Sequence, residues 1–322
     1  RFNDMESARL LRDIIRRNKT VTTLNLSCND FGRTLGAVEC ITDGMGSNST
    51  LLKINLLICQ LGDGGVSILA QNIGSRNMTL EKLDLDYNFI TSTGVGVLVE
   101  TMEQSSHHIA DLDLANNPIG NEGAIILAGA LGHNALPNLT CLCLFHCGIG
   151  DDGFIALVSA LVQNSSLLQL DLHQLPGSGF SERAYLALAK SLPEIKFLQR
   201  VDLNWCTALA SAMPLLLEGL RENTSLFRIH VEDCVPSSVP PTPEETARGA
   251  GGWMQEMESL GYRNRCLTLI RAPNETLPPI GVWPRALARV ATYPDFMFEV
   301  LCSIPSLVPS EDKEDSKKRP SP

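Results

Sequence analysis

Between residues 21 and 231 the chain repeats one hydrophobic phrase eight times, an apolar residue followed by two more at offsets +3 and +5. The copies open at Val21, Leu51, Leu80, Ile109, Leu139, Leu167, Leu198 and Leu226, at intervals of 28 to 31 residues. Alternation with polar residues predicts a short strand whose +3 and +5 side chains point inward. Position +8 holds Asn29, Cys59, Asn88, Asn117, Cys147, Leu175, Cys206 and Cys234. Asparagine can bond the backbone of neighbouring turns there, as a buried bend requires. Cysteine fills the same space as a small hydrophobe.

A glycine-rich break follows the strand, as in Gly62-Asp63-Gly64-Gly65, Gly120-Asn121-Glu122-Gly123 and Gly150-Asp151-Asp152-Gly153. The period then switches to 3.6 residues, the mark of an amphipathic helix. One face carries Val66, Leu69, Ala70 and Ile73; Val95, Leu98, Val99 and Met102; Ala124, Leu127, Ala128 and Leu131; Phe154, Leu157, Val158 and Leu161. Each of these faces begins 15 residues after its opening residue, and repeat seven matches with Met213, Leu216, Leu217 and Leu220. Repeat six has three extra loop residues near Pro176 to Ser178 and starts its face at Tyr185. Repeat one runs about two residues late, near Val38 and Ile41. Ser7, Leu10, Leu11 and Ile14 reproduce a helical face ahead of Val21, so the chain is expected to open inside a truncated repeat.

A strand and a helix cannot bury their apolar faces alone, and a 28 to 31 residue period is the leucine-rich-repeat signature. The fold class that follows is a curved α/β solenoid (horseshoe), with a parallel sheet on the concave side and helices on the convex side. The segments Leu80-Glu-Lys-Leu83-Asp-Leu85-Asp-Tyr-Asn88 and Gly120-Asn-Glu-Gly123-Ala124, followed by Leu127-Ala128, resemble the ribonuclease-inhibitor-like class of these repeats. The resemblance spans about residues 7 to 235. Trp283 to Pro309 also resembles the terminal cap of members from unicellular eukaryotes. The expected organisation is a helix of a truncated repeat at 1–20, eight repeats at 21–234, an irregular linker and helix at 235–265, a cap at 266–309 and a disordered tail at 310–322.

Net charge of −10 disfavours nucleic acid, which is held by a basic footprint. No apolar run approaches the 18 or so residues of a membrane span. Cysteines at inward +8 positions need to be reduced, which points to the cytoplasm. Asn-x-Ser/Thr triplets at Asn18, Asn48, Asn77, Asn138, Asn164 and Asn223 recur because the helix-to-strand turn recurs; Asn274 lies outside that pattern.

On the strands, +2, +4 and +6 face away from the core. The +4 column reads Asn25, Asn55, Asp84, Asp113, Cys143, Asp171, Asp202 and His230, so Asp84/Asp113 and Asp171/Asp202 are neighbouring like charges. Lys53, Lys82, Arg200 and Arg228 in the +2 column are expected to pair with them, and the three columns together hold seven acids against four bases. Tyr87, Phe145 and Trp205 share a rim at +6 or +7, where aromatic anchors bind proteins, and Leu57 and Ile58 add an apolar patch. Cys141, Cys143, His146 and Cys147 lie close in sequence, but Cys147 faces the core, so no tetrahedral metal site is expected. No phosphate loop, Gly-x-Ser-x-Gly or His-Glu-x-x-His is present, and no cofactor is expected.

These observations describe a non-enzymatic scaffold whose concave face, at Tyr87, Phe145, Trp205, Asp84, Asp113, Asp171 and Asp202, binds a protein with basic and apolar patches. The resemblance implies two alternatives. One is a GTPase-activating protein like the Ran activator, which needs a polar residue such as Asn88 or Asn117 presented to a nucleotide. The other is the sensing segment of a larger immune-type receptor.

Overall fold

The computed structural model describes residues 4–74, 79–104, 108–174, 179–203 and 209–230, with Leu260, Gly261 and Asn264. Every repeat contributes a three-residue strand: β1 Thr23–Asn25, β2 Lys53–Asn55, β3 Lys82–Asp84, β4 Asp111–Asp113, β5 Cys141–Cys143, β6 Gln169–Asp171, β7 Arg200–Asp202 and β8 Arg228–His230. They form one parallel sheet in chain order. The register aligns each +3 residue with the next, Leu24 with Ile54, Leu83, Leu112, Leu142, Leu170, Val201 and Ile229.

Helices α1 Met5–Arg17, α2 Leu35–Gly46, α3 Gly62–Gly74, α4 Ser92–Gln104, α5 Gly120–Gly132, α6 Asp151–Gln163, α7 Glu182–Ser191 and α8 Leu209–Glu222 form the second layer. Adjacent helices need 8–10 Å and adjacent strands about 4.8 Å, so the stack bends with its sheet on the inside. All the helical faces read from the sequence at α3, α4, α5, α6 and α8 are buried in one continuous core. Tyr185 opens the buried face of α7, and Val38 and Ile41 belong to that of α2. The late start of α2 is taken up by a 3-10 turn, Phe31–Arg33. Within it Gly32 donates its N–H to the Cys59 carbonyl at 3.0 Å, and a Cβ there would lie only 1.5 Å from the Gln60 carbonyl oxygen. The insertion expected at residues 176–178 lies outside the described residues.

One expected face is corrected. On α1 the buried residues are Ala8, Leu11 and Ile15, whereas Leu10 and Ile14 are 61% and 63% exposed. A one-residue shift rotates a helix by about 100°. Counting back from the strand gives the right register: Ala8 stands 13 residues before Val21, as Val38 does before Leu51 and Phe154 before Leu167.

Side-chain amides stitch the units together. Asn48 donates from Nδ2 to the carbonyls of Ile15 and Asn18, at 2.8 and 3.0 Å, and accepts on Oδ1 from the N–H groups of Thr50 and Leu51. Asn164 and Asn223 are buried in the same turn and bond in the same way. The repeated Asn-x-Ser/Thr triplet is therefore turn chemistry at these three positions. Leu260 and Asn264, within the stretch 235–265, are buried against repeat eight; Asn264 Nδ2 donates to the Leu226 carbonyl at 2.7 Å.

At +8 the same logic serves the strand ends. Asn88 Nδ2 donates to Leu56 O in the preceding repeat, and Asn117 Nδ2 to Leu85 O. Cys59 and Cys147 also donate to the corresponding carbonyls, Leu26 O and Leu114 O, each at 3.2 Å. Cysteine is thus more than a space-filler here. It differs from asparagine on the acceptor side. Asn88 Oδ1 takes the N–H of Cys59 and Leu61, and Asn117 Oδ1 those of Asn88 and Ile90. Below a cysteine, Phe31 and Ile119 instead bond within their own loops, to Asn29 O and Asn117 O.

Replacing Asn117 by alanine strands Asn88 N–H, Ile90 N–H and a donor to Leu85 O. A loss of roughly 3 kcal/mol or more is expected in urea denaturation. Asn117→Cys should lose clearly less, because Ile90 can adopt the loop bond that Ile119 makes; equal losses would show that the cysteine pattern does not transfer.

Candidate functional site

The outward +4 column first has a structural duty. Its side-chain oxygen accepts the N–H two residues on: Asn25 from Ser27 at 2.9 Å, Asn55 from Leu57 at 3.0 Å, Asp84 from Asp86 at 3.1 Å, Asp113 from Ala115 at 3.0 Å and Asp171 from His173 at 3.1 Å. Asparagine makes this bond in repeats one and two without a charge, so the turn does not need the carboxylates of repeats three, four and six. Their charge is surplus to the fold, and it is costly. Burial, followed by the Asp84 and Asp86 charges, pushes Asp113 up to about 6. Burial likewise raises Asp86, against the opposing hydrogen bond from Asn116. Asp84 and Asp113 are paired in register, and Asn55 Nδ2 steadies Asp84 at 2.6 Å.

The bases do not gather on this cluster. Lys82 meets Asp111 at 2.7 Å on the adjoining strand, and Arg200 meets Asp202 at 2.8 Å on its own. The expected pairing of +2 bases with +4 acids therefore holds at Asp202, whereas Lys82 turns to a +2 acid. Asp171 is held by His173 Nδ1 at 2.5 Å. Asp84, Asp86 and Asp113 remain as an acidic group whose partners are amides, backbone and the Cys143 thiol.

Beside it lies an apolar rim. Ile58, Tyr87 and Phe89 are 42%, 50% and 63% exposed. All three sit at positive φ, near 55 to 59°. For a β-branched residue such as Ile58 this is a strained conformation, stored where the chain turns outward. Phe145 is half-buried and stacks on His173, with ring centroids 4.0 Å apart and an interplanar angle of 23°. The structure thus brings Tyr87 beside Asp84 and Asp113, and Phe145 beside Asp171. Trp205 lies outside the described residues. Phe89 and His173 were not singled out by the sequence reading, although a phenylalanine at +9 stands out among Asp30, Gln60, Pro118 and Gly148.

The cysteines are poor nucleophiles, because the thiolate is the reactive form. Burial pushes Cys59 and Cys141 up to about 11 and Cys147 to about 12, and raises Cys143 further. Among the described residues no group of three or more His, Cys, Asp or Glu side chains is placed to hold a metal ion. Asn88 and Asn117 are 0% and 1% exposed with both ends of the amide engaged, so neither can be presented to a nucleotide. No helix among the described residues is long and apolar enough to cross a membrane.

The profile of the family described as Leucine Rich repeat matches residues 17–33, 76–99, 105–128 and 135–158. This chain is a leucine-rich-repeat protein. Such repeats generally mediate protein–protein interaction, and the family is typically a binding scaffold rather than an enzyme. The search of curated proteins finds no match. Among solved structures the chain is similar to the tropomodulin C-terminal domain of Caenorhabditis elegans, at 10% identity and a TM-score of 0.30, covering 81% of this chain and 96% of that one.

Because the folded pKa of Asp113 lies above its ordinary 3.8, the folded state favours the protonated carboxyl. Its contribution to stability is complete at low pH and is lost as pH rises from about 4 to about 6. Asp113→Asn keeps the bond to Ala115 and should stabilise the protein above pH 6 by on the order of 3 kcal/mol, with the gain vanishing below pH 4. Urea midpoints across this pH range check it. Alkylation provides a second check: Cys28 is exposed and should react in the native state, while Cys59 and Cys147 should react only on unfolding.

Proposed function

We propose that this leucine-rich-repeat protein is a non-enzymatic scaffold that binds a protein partner on its concave sheet, centred on Asp84, Asp86, Asp113, Tyr87 and Phe89. The observation that carries the reading is the surplus charge. Asn25 and Asn55 show that the +4 turn bond needs no carboxylate, yet Asp113 keeps one at a position where burial opposes ionisation. A lysine or arginine from a partner would relieve that cost. Exposed Tyr87 and Phe89 supply the aromatic contact area on which interfaces commonly depend. The partner is accordingly one with basic and apolar patches. Asp171 with the Phe145–His173 stack extends the same face two repeats further along.

A full helix in each 28 to 31 residue unit supports assignment to the ribonuclease-inhibitor-like class. Six free thiols among the described residues, two of them fully buried in the core, support a reducing, cytoplasmic setting.

The test uses a partner captured by a photo-crosslinker at Tyr87. Its affinity should fall at least about tenfold in the Tyr87→Ala/Phe89→Ala/Asp113→Asn variant, the scale of a hot-spot loss. Substituting Arg183 and Lys190 on the convex helix α7 should leave it unchanged. Binding should also tighten as pH rises through about 6, as Asp113 ionises, and weaken with salt. Full affinity in the triple variant would remove the concave face from consideration.

A further inference from the structure

The N-terminal edge of the solenoid leaves open a set of groups that every later repeat covers. Val21 is 41% exposed, while its counterparts from Leu51 to Leu226 are at most 3% exposed. Leu24 is only partly buried, whereas Ile54 through Val201 at the same strand position are at most 3% exposed. Together with Leu11, Ile14, Ile15 and Leu51 they line a shallow apolar hollow on the outer side of α1 and β1.

The polar groups follow the same rule. Asn18 accepts from Thr20 and Val21 N–H, at 3.0 and 2.7 Å, as Asn48, Asn164 and Asn223 accept in their own turns. In those three turns Nδ2 also reaches back to a carbonyl at the end of the preceding helix, Ile15, Leu131 or Leu192. Asn18 has no such helix behind it among the described residues. On β2 the N–H groups of Leu52 and Lys53 both donate to Thr22 O; the equivalent groups on β1 are those of Thr22 and Thr23, and they face the open edge.

We infer that this edge is a stacking surface for one further unit of the same repeat class, a helix followed by a strand. The strand pairs parallel to β1 through Thr22 and Thr23 N–H. Its apolar residues cover Val21 and Leu24, and its helix ends over the Asn18 amide. The occupant is identified by continuity: seven successive repeat-to-repeat contacts show what covers these groups. The surface is separate from the concave acidic face, and either reading can fail without the other.

The experiment joins a copy of residues 92–119, which span α4, β4 and the loop into α5, ahead of Asp4 in the full chain. Amide exchange at Thr22 and Thr23 should slow by about tenfold or more, and the whole should melt in a single transition above that of the parent. Val21→Glu in the extended chain should abolish both effects. Unchanged exchange, or a separate melting step for the added unit, would overturn the inference. Sedimentation of the parent chain covers the remaining occupant: a monomer is expected, and a dimer dispersed by Val21→Glu would assign the edge to a second copy instead.

Discussion

The solenoid depends on one recurring problem, the inward-pointing carbonyl at the end of each strand. Leu26, Leu56, Leu85 and Leu114 present a C=O to the core where no neighbouring strand N–H meets it. A buried carbonyl without a partner costs about as much as a lost hydrogen bond. The solution comes from the following repeat, as the Asn88 or Asn117 amide or the Cys59 or Cys147 thiol. This requirement locks the offset between +5 of one unit and +8 of the next. The hydrophobic phrase makes a core possible, and the buried donor sets the spacing at which units stack.

That division explains what was legible. The strands, their order and most helical faces follow from apolar periodicity, which survives single substitutions. The α1 face was misread because Ser7, Leu10, Leu11 and Ile14 also satisfy a 3.6-residue period; only the distance back from Val21 distinguishes it from Ala8, Leu11 and Ile15. The column of concave acids was visible as well, but not its meaning. A sequence shows Asp113 as a charge, while the structure shows a carboxyl that completes a turn and resists ionising. Phe89 and His173 escaped notice because exposure at +9 and stacking on Phe145 depend on backbone twist and neighbouring repeats, neither of which a linear pattern encodes.

The concave face is consequently a composite. Part of each side chain serves the repeat, and only the remainder is free for recognition. At Asp171 the remainder is small, since His173 and Phe145 already engage it. At Asp84, Asp86 and Asp113 it is larger, and Lys82 is drawn off to Asp111. A recognition surface can therefore be written into such a fold by exchanging asparagine for aspartate, with the turn geometry left intact.

The helix starts carry a different consequence. Asp63 accepts the Thr91 and Gly94 N–H groups that open α4, Asn121 those of Gly150 and Gly153 at α6, and Asp151 that of Ser181 ahead of α7. Each unit thus receives its helix cap from the unit before it, while its own +8 side chain completes the strand of that same predecessor. Dependence runs in both directions across every junction. A gene encoding such a chain can gain or lose whole periods and still close every junction, but a deletion that ends inside a period leaves one neighbour uncapped and the other with a bare carbonyl. Length variation in this protein's lineage should accordingly come in steps of one full unit.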